Sequence, residues 1–223
     1  MRTFKSCQTL PNYNIFMLKD DLLLDSTRPF SCTENNDIGC PEHSSEGVPS
    51  SWYALRVSYS RELKIQETLN GLGVRTFVPM MWKKCTDKQG ASVTKKLVPA
   101  VGNLCFAYWT KPAIEDFIRG FGESSPVHFY WDRTANRPMI VSDKAMNDFM
   151  TVSSTLDEDL IYITEITGKL REGQAVKVKE GPFEGVEGKV VRIRKSRRIL
   201  VELPGMLAVA TTYIAPEKLE ISV

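Results

Sequence analysis

The run from Val176 to Arg194 constrains this chain more than any other stretch. Two short pieces rich in β-branched residues flank a segment holding Gly181, Pro182, Gly185 and Gly188, which predicts strand, turn, strand. Side chains alternate along a strand, so Val176 and Val178 point one way and Lys177 and Lys179 the other. On the return, Val191 and Ile193 share a face, and Val190, Arg192 and Arg194 take the opposite one. One face suits a small core, and the other carries mostly basic side chains into water.

A chain of 223 residues has room for one domain or two small ones. Its 42% hydrophobic and 25% charged content is that of an ordinary water-soluble protein. The net charge of +2 is unevenly spread, because residues 1–50 carry four basic and seven acidic side chains and residues 169–223 carry eleven and seven. The basic end is therefore the part suited to anionic partners. Cysteines at 7, 32, 40, 85 and 105 make no regular framework and suit a reducing cytosol. Cys32, Cys40 and His43 lack a fourth ligand and match no common zinc spacing, so no metal is expected. No apolar run approaches the roughly 20 residues that cross a bilayer. Asp20 and Asp21 interrupt the short apolar patch near the N-terminus, which does not read as a signal peptide. A cytoplasmic location is expected.

Residues 1–48 hold one apolar patch, Ile15 to Leu24, and then a polar stretch with little to offset the entropy of ordering. They read as a partly disordered extension. From Ser51 to Ser58 the alternation predicts a strand, with Trp52, Ala54 and Arg56 on one face and Tyr53, Leu55 and Val57 on the other. Ser60 is placed to cap a helix from Arg61 to about Leu72, with Leu63, Ile65, Leu69 and Leu72 inward. Val74 to Val78 follows as a strand. Residues 82–96 are lysine-rich and read as an exposed hairpin or loop. Val98 to Trp109 reads as a strongly apolar strand entered by a bend near Pro99 and Gly102, and Thr110 starts a helix with Pro112 in its first turn. Val127 to Trp131 alternates again, and Ser142 caps a helix carrying Met146, Phe149 and Met150. The fold expected over residues 49–152 is an α+β sandwich with a mainly antiparallel sheet. Residues 153–168 read as a linker. Five short strands over residues 169–223 fit a small SH3-like β-barrel.

In order and spacing, several segments resemble the NusG transcription factors: Trp52-Tyr53-Ala54-Leu55-Arg56-Val57, the Ser60-to-Lys64 helix start, Phe77-Val78-Pro79-Met80, and the glycine-bearing C-terminal hairpin. That hairpin resembles a KOW motif. The Leu97-to-Phe106 run and Arg137-to-Asp143 look more like specialised paralogs, of which the UpxY antiterminators are the nearest subgroup. The resemblance covers residues 51–221 and implies a NusG N-terminal-type sandwich followed by a KOW barrel.

It further implies a transcription elongation or antitermination factor, operon-specific in action, that binds the clamp of bacterial RNA polymerase through Trp52, Leu104 and Phe106. Arg61 and Lys64 match the region that specialised members turn toward non-template DNA; beside them, Lys83 and Lys84 would add phosphate contacts and Tyr59 would stack on an unpaired base, of DNA or of nascent RNA. Phe183, Arg192 and Arg194 would form the surface on which a KOW domain meets a ribosomal protein or the Rho factor. One relative refolds its C-terminal domain between helix and barrel. Here the valines and turn glycines predict a C-terminal domain that stays β.

Enzymatic chemistry is not expected. His43 and His128 are the only histidines and neither stands beside paired acids. The Gly181-to-Gly185 turn leads into valines rather than into the helix a phosphate loop requires. No cofactor is implied. The alternative function is an RNA-binding or ribosome-associated KOW protein without polymerase activity, supported by Arg192, Arg194, Lys195, Arg197 and Arg198.

Overall fold

Strand β1 (Ser51–Val57) shows the alternation its sequence predicts, with Tyr53, Leu55 and Val57 entering one core and Trp52 and Ala54 another. The structure, a computed structural model, describes residues 48–86, 93–164, 173–193 and 195–221. The N-terminal extension, with Cys7, Cys32, Cys40 and His43, lies outside the described residues, apart from Val48.

Helix α1 (Glu62–Gly71) buries Ile65 and Leu69, one turn apart on its inner face. Leu72, expected inside, is exposed because the helix has ended and it stands at the cap. After β2 (Arg75–Phe77) come β3 (Met80–Thr86) and β4 (Val93–Pro99), an antiparallel hairpin with Trp82 opposite Leu97. The bend expected near Pro99 and Gly102 is a full break, so that Val98 and Pro99 close β4 instead of opening the next strand. The chain turns after Pro99 with Asn103 at φ 62°, and β5 (Leu104–Trp109) starts anew.

Helix α2 (Lys111–Arg119) has extended Thr110 before it, proline in its first turn and Ile114 buried. Four short strands follow: β6 (Val127–Phe129), β7 (Trp131–Asp132), β8 (Arg137–Pro138) and β9 (Ile140–Val141). Helix α3 (Asp143–Ser153) is capped by the Ser142 hydroxyl, which accepts from the Ala145 amide. The main N-terminal sheet has the order β2-β5-β1-β6, with β9 also on β1, and every pairing is antiparallel. Helices α1 and α2 supply Ile65, Leu69 and Ile114 to one face, and α3 supplies Met146, Phe149 and Val152 to the other.

The stretch read as a linker contributes a strand, β10 (Ile161–Ile163), which pairs with β14 (Leu207–Tyr213). With β11 (Ala175–Val178), β12 (Glu187–Ile193), β13 (Ser196–Leu203) and β15 (Leu219–Ile221) it makes an antiparallel sheet ordered β10-β14-β13-β12-β11-β15. Its terminal strands do not pair with each other among the described residues, so the hydrogen bonding runs as an open path.

In β11 and the residue after it the expected division holds, with Val176 and Val178 buried and Lys177 and Lys179 exposed, whereas across β12 to β14 both sheet faces carry buried apolar side chains. Ile199, Val201, Leu203, Leu207 and Val209 enter the larger core, and Val191, Leu200, Ala208 and Ala210 pack under Ile161 and Ile163. The described chain is thus α+β, a sandwich followed by a β-rich region. No helix among the described residues is long and apolar enough to cross a membrane.

Candidate partner and nucleic-acid interfaces

Register places the three expected polymerase-binding residues on one face. Trp52 lies opposite Tyr108, Ala54 opposite Phe106, and Arg56 opposite Leu104. The Trp52 and Tyr108 rings are 5.4 Å apart, and the Arg75 guanidinium sits 5.5 Å from the first and 5.4 Å from the second. This is an aromatic surface with a cation at its edge, the composition of a protein-docking patch.

It is not open, however. Trp52, Leu104 and Phe106 are 2%, 1% and 0% exposed. They belong to one continuous core with Met146, Phe149 and Val152 of α3 and with Val176, Val178, Phe183, Val186 and the inner residues of β13 and β14. Phe183, expected to face a partner, is therefore an interior side chain, as are Ile199, Val201 and Leu203 of the strand beside it. The physical reason is that two apolar surfaces, each too large to leave in water, cover each other.

Polar contacts fix the edge of this junction. Lys144 Nζ lies 2.7 Å from Asp148 Oδ2 and 3.5 Å from Glu187 Oε1, and donates to the Gly185 carbonyl at 3.4 Å. The Glu187 amide donates to Asp148 Oδ2 at 3.4 Å. Desolvation acts to lower the Lys144 pKa, but Asp148 and Glu187 outweigh it and hold the ammonium above its ordinary value. Tyr162 donates its hydroxyl to the Met80 carbonyl at 3.3 Å, and Lys95 pairs with Glu158. Burial raises the Tyr162 pKa, and the Lys95 hydrogen bond lowers that of Glu158. Lys144 and Asp148 were not expected as functional, though their i,i+4 spacing on a helix was there to be read.

The expected nucleic-acid residues are all on the surface. Tyr59 is 81% exposed, and the Arg61 guanidinium stands 5.5 Å from its ring centre. The expected Ser60 cap does not form: Tyr59 and Ser60 adopt φ 64° and 51°, and Arg61 takes the cap position without a side-chain bond. Two successive left-handed residues other than glycine are costly. Bonds on both sides hold them there, from the Val57 amide to the Asn103 carbonyl, from Ser58 to Pro126, and from the Asn103 amide to the buried Glu62 carboxylate. The result is a tyrosine pushed outward beside a cation, with Lys64 exposed on the next turn.

On the β3–β4 hairpin, Lys83 pairs across with Lys96 and Lys84 with Lys95. Like charges directly opposite are unfavourable unless an anion lies nearby, and Glu158 serves Lys95. In the C-terminal sheet Arg192 is exposed, and Arg194 lies outside the described residues. Arg198 donates to the carbonyls of Asp159, at 2.7 Å, and Thr211, at 2.8 Å, so it works as an internal clamp. No group of three His, Cys, Asp or Glu able to hold a metal occurs among the described residues.

Residues 50–150 match the family described as transcription termination factor nusG. The match covers the antiparallel sheet of β1, β2, β5, β6 and β9 with its helices, somewhat less than half of the chain. Among solved structures, the chain is similar to one described as "Domain interaction in Thermotoga maritima NusG", with 19% identity and a TM-score of 0.40, covering 77% of this chain and 97% of that one. No curated protein matches the chain.

Proposed function

We propose that the chain is a transcription elongation factor that docks on the clamp of bacterial RNA polymerase through the β1–β5 face bearing Trp52, Leu104 and Phe106, and so reduces pausing or termination. The observation that carries this reading is that the NusG-family region, residues 50–150, contains that aromatic face with Arg75 at its edge. No bond chemistry is needed. A partner that binds one clamp conformation in preference shifts the clamp toward it.

Because the face is buried against the C-terminal strands, polymerase and the C-terminal region compete for it. Docking frees the C-terminal region, whose Phe183 surface then meets a ribosomal protein or the Rho factor. Tyr59, Arg61 and Lys64, with Lys83 and Lys84 of the hairpin, contact exposed DNA or nascent RNA through stacking and phosphate charge. These contacts confer operon-specific recruitment of the kind found in UpxY-like paralogs, and the C-terminal region, once released, is an SH3-like KOW barrel. The alternative of an RNA- or ribosome-bound KOW protein is weakened by Arg198, whose guanidinium is engaged internally.

The test is binding of the intact chain to purified bacterial RNA polymerase, free and in an elongation complex, beside a Glu187→Lys variant that weakens the junction. Tighter binding by the variant is expected. Absence of binding by both proteins rejects the reading.

A further inference from the structure

The hairpin of β7 and β8 has no part in either surface described above, yet it holds an indole in a fixed pose outside the core. Trp131 stands opposite Pro138 and is 51% exposed. Its Nε1 donates to Asn136 Oδ1 at 3.2 Å, and Asn136 sits at φ 48°. The hairpin's one carboxylate is turned onto its own backbone, since Asp132 Oδ1 accepts from the amides of Thr134 at 2.9 Å and Ala135 at 3.1 Å. Arg133 and Arg137 are exposed and have no ion partner among the described residues. At the base, the Tyr130 amide donates to the Ala54 carbonyl and the Met139 amide to the Tyr130 carbonyl, which fastens the hairpin to β1.

We infer that this hairpin is a stacking station for one unpaired base of a single-stranded nucleic acid, with Trp131 giving the ring face and Arg133 and Arg137 meeting the flanking phosphates. Base-on-aromatic stacking needs one rigid ring and tolerates any base, and cations beside the ring supply the backbone contacts. Pinning the indole removes in advance part of the ordering cost of binding. A protein anchor would instead be a tryptophan seated in an apolar, water-excluding surround. Here the cross-strand neighbour is a single proline, Pro138, the indole N–H is held by Asn136, and the hairpin carries two arginines against the one carboxylate of Asp132.

Position adds to this. Trp131 continues from β6, the edge strand that pairs with β1, and Tyr59 with Arg61 lies beyond the other end of that pairing at Val57 and Val127. Arg56 and His128, opposite each other and both exposed, lie between. The Trp131 station stands on its own geometry and does not require Tyr59 to bind.

The experiment measures fluorescence anisotropy of labelled dT12 and U12 with the full chain at low and moderate salt, comparing wild type with Trp131→Ala, Trp131→Phe, Arg133→Ala/Arg137→Ala and Tyr59→Ala. Expected are an about ten-fold loss for Trp131→Ala, near-retention in Trp131→Phe, and a salt slope shallower by about two in the double arginine variant. The dT12 and U12 arms tell DNA from RNA. Unchanged binding by Trp131→Ala while Tyr59→Ala weakens it overturns the station and leaves the Tyr59 surface standing. No binding to either oligonucleotide overturns it as well, without touching the polymerase test. If Trp131→Ala loses polymerase and keeps the oligonucleotides, the indole is a protein contact and the inference is wrong.

Discussion

The ring of Phe149 on α3 meets that of Phe106 on β5 edge-on, with centroids 6.1 Å apart. The same ring makes edge contacts with Phe77 at 6.1 Å and with Tyr162 at 6.4 Å. Phe149 thus joins the sandwich to the strand that enters the C-terminal sheet. Phe149→Ala should cost about 3–5 kcal/mol through lost burial and the cavity left behind, read from the urea unfolding midpoint. Phe149→Leu refills most of the space and should cost less. Equal stability of Phe149→Ala and wild type would show that the ring is not a shared support.

The Lys144 ammonium, held above its ordinary pKa by Asp148 and Glu187, stabilises the fold at every pH below the usual lysine range. That contribution disappears as pH rises through its folded pKa. Burial of Tyr53 and Tyr162 raises their pKa values as well, so they add to the alkaline loss. A Lys144→Met variant keeps the tyrosine part and removes the lysine part. Its stability should fall less steeply with alkaline pH than wild type in urea titrations, and identical slopes would deny Lys144 this role.

A side chain at Gly188 would place Cβ 2.6 Å from the Leu200 carbonyl oxygen and 2.6 Å from Ile199 Cγ2. The oxygen belongs to the strand pairing of β12 with β13 and has nowhere to go. Gly188→Ala should therefore cost about 2 kcal/mol or more. Gly185 has open space at φ 82°, so Gly185→Ala meets only backbone strain, about 1 kcal/mol. Thermal unfolding of the pair orders the two effects, and a milder result at Gly188 than at Gly185 would contradict this account.

Burial, with Glu62's charge adding to it, pushes the Cys105 thiol up to about 12. Cys85 is only partly buried. Iodoacetamide at pH 8 followed by peptide mass spectrometry should label Cys85 and spare Cys105 until denaturant is added. Equal native labelling would mean that β5 opens far more readily than its packing implies.

Where a pattern has a local cause, it was legible in the residues. Strand β1, the Ser142 cap and the antiparallel β11–β12 hairpin follow from period-two alternation, a hydroxyl before a helix and glycine turns. The grouping of Trp52, Leu104 and Phe106 came from the resemblance to NusG factors rather than from alternation, and it is the pairing of β1 with β5 that puts them on one face. Their burial was not legible, because it depends on a second apolar surface more than fifty residues away in sequence, which no local periodicity reports. Ser60 failed as a cap for a similar reason: the bonds from Asn103 and Pro126 that hold Tyr59 and Ser60 left-handed come from distant turns. Strand β10 was missed because Ile161 and Ile163 flank only three residues of alternation beside an acidic run, and the pairing that makes them a strand is supplied by β14.

That strand decides where the protein can be cut for study. Ile161–Ile163 lies before the basic C-terminal segment yet completes its sheet. A fragment starting at residue 169 would present the whole hydrogen-bonding edge of β14 and uncover Ala208, Ala210 and Leu200 beneath it, an invitation to edge-to-edge self-association. Beginning the fragment at residue 157 instead retains both the strand and the Asp159 carbonyl that accepts from Arg198.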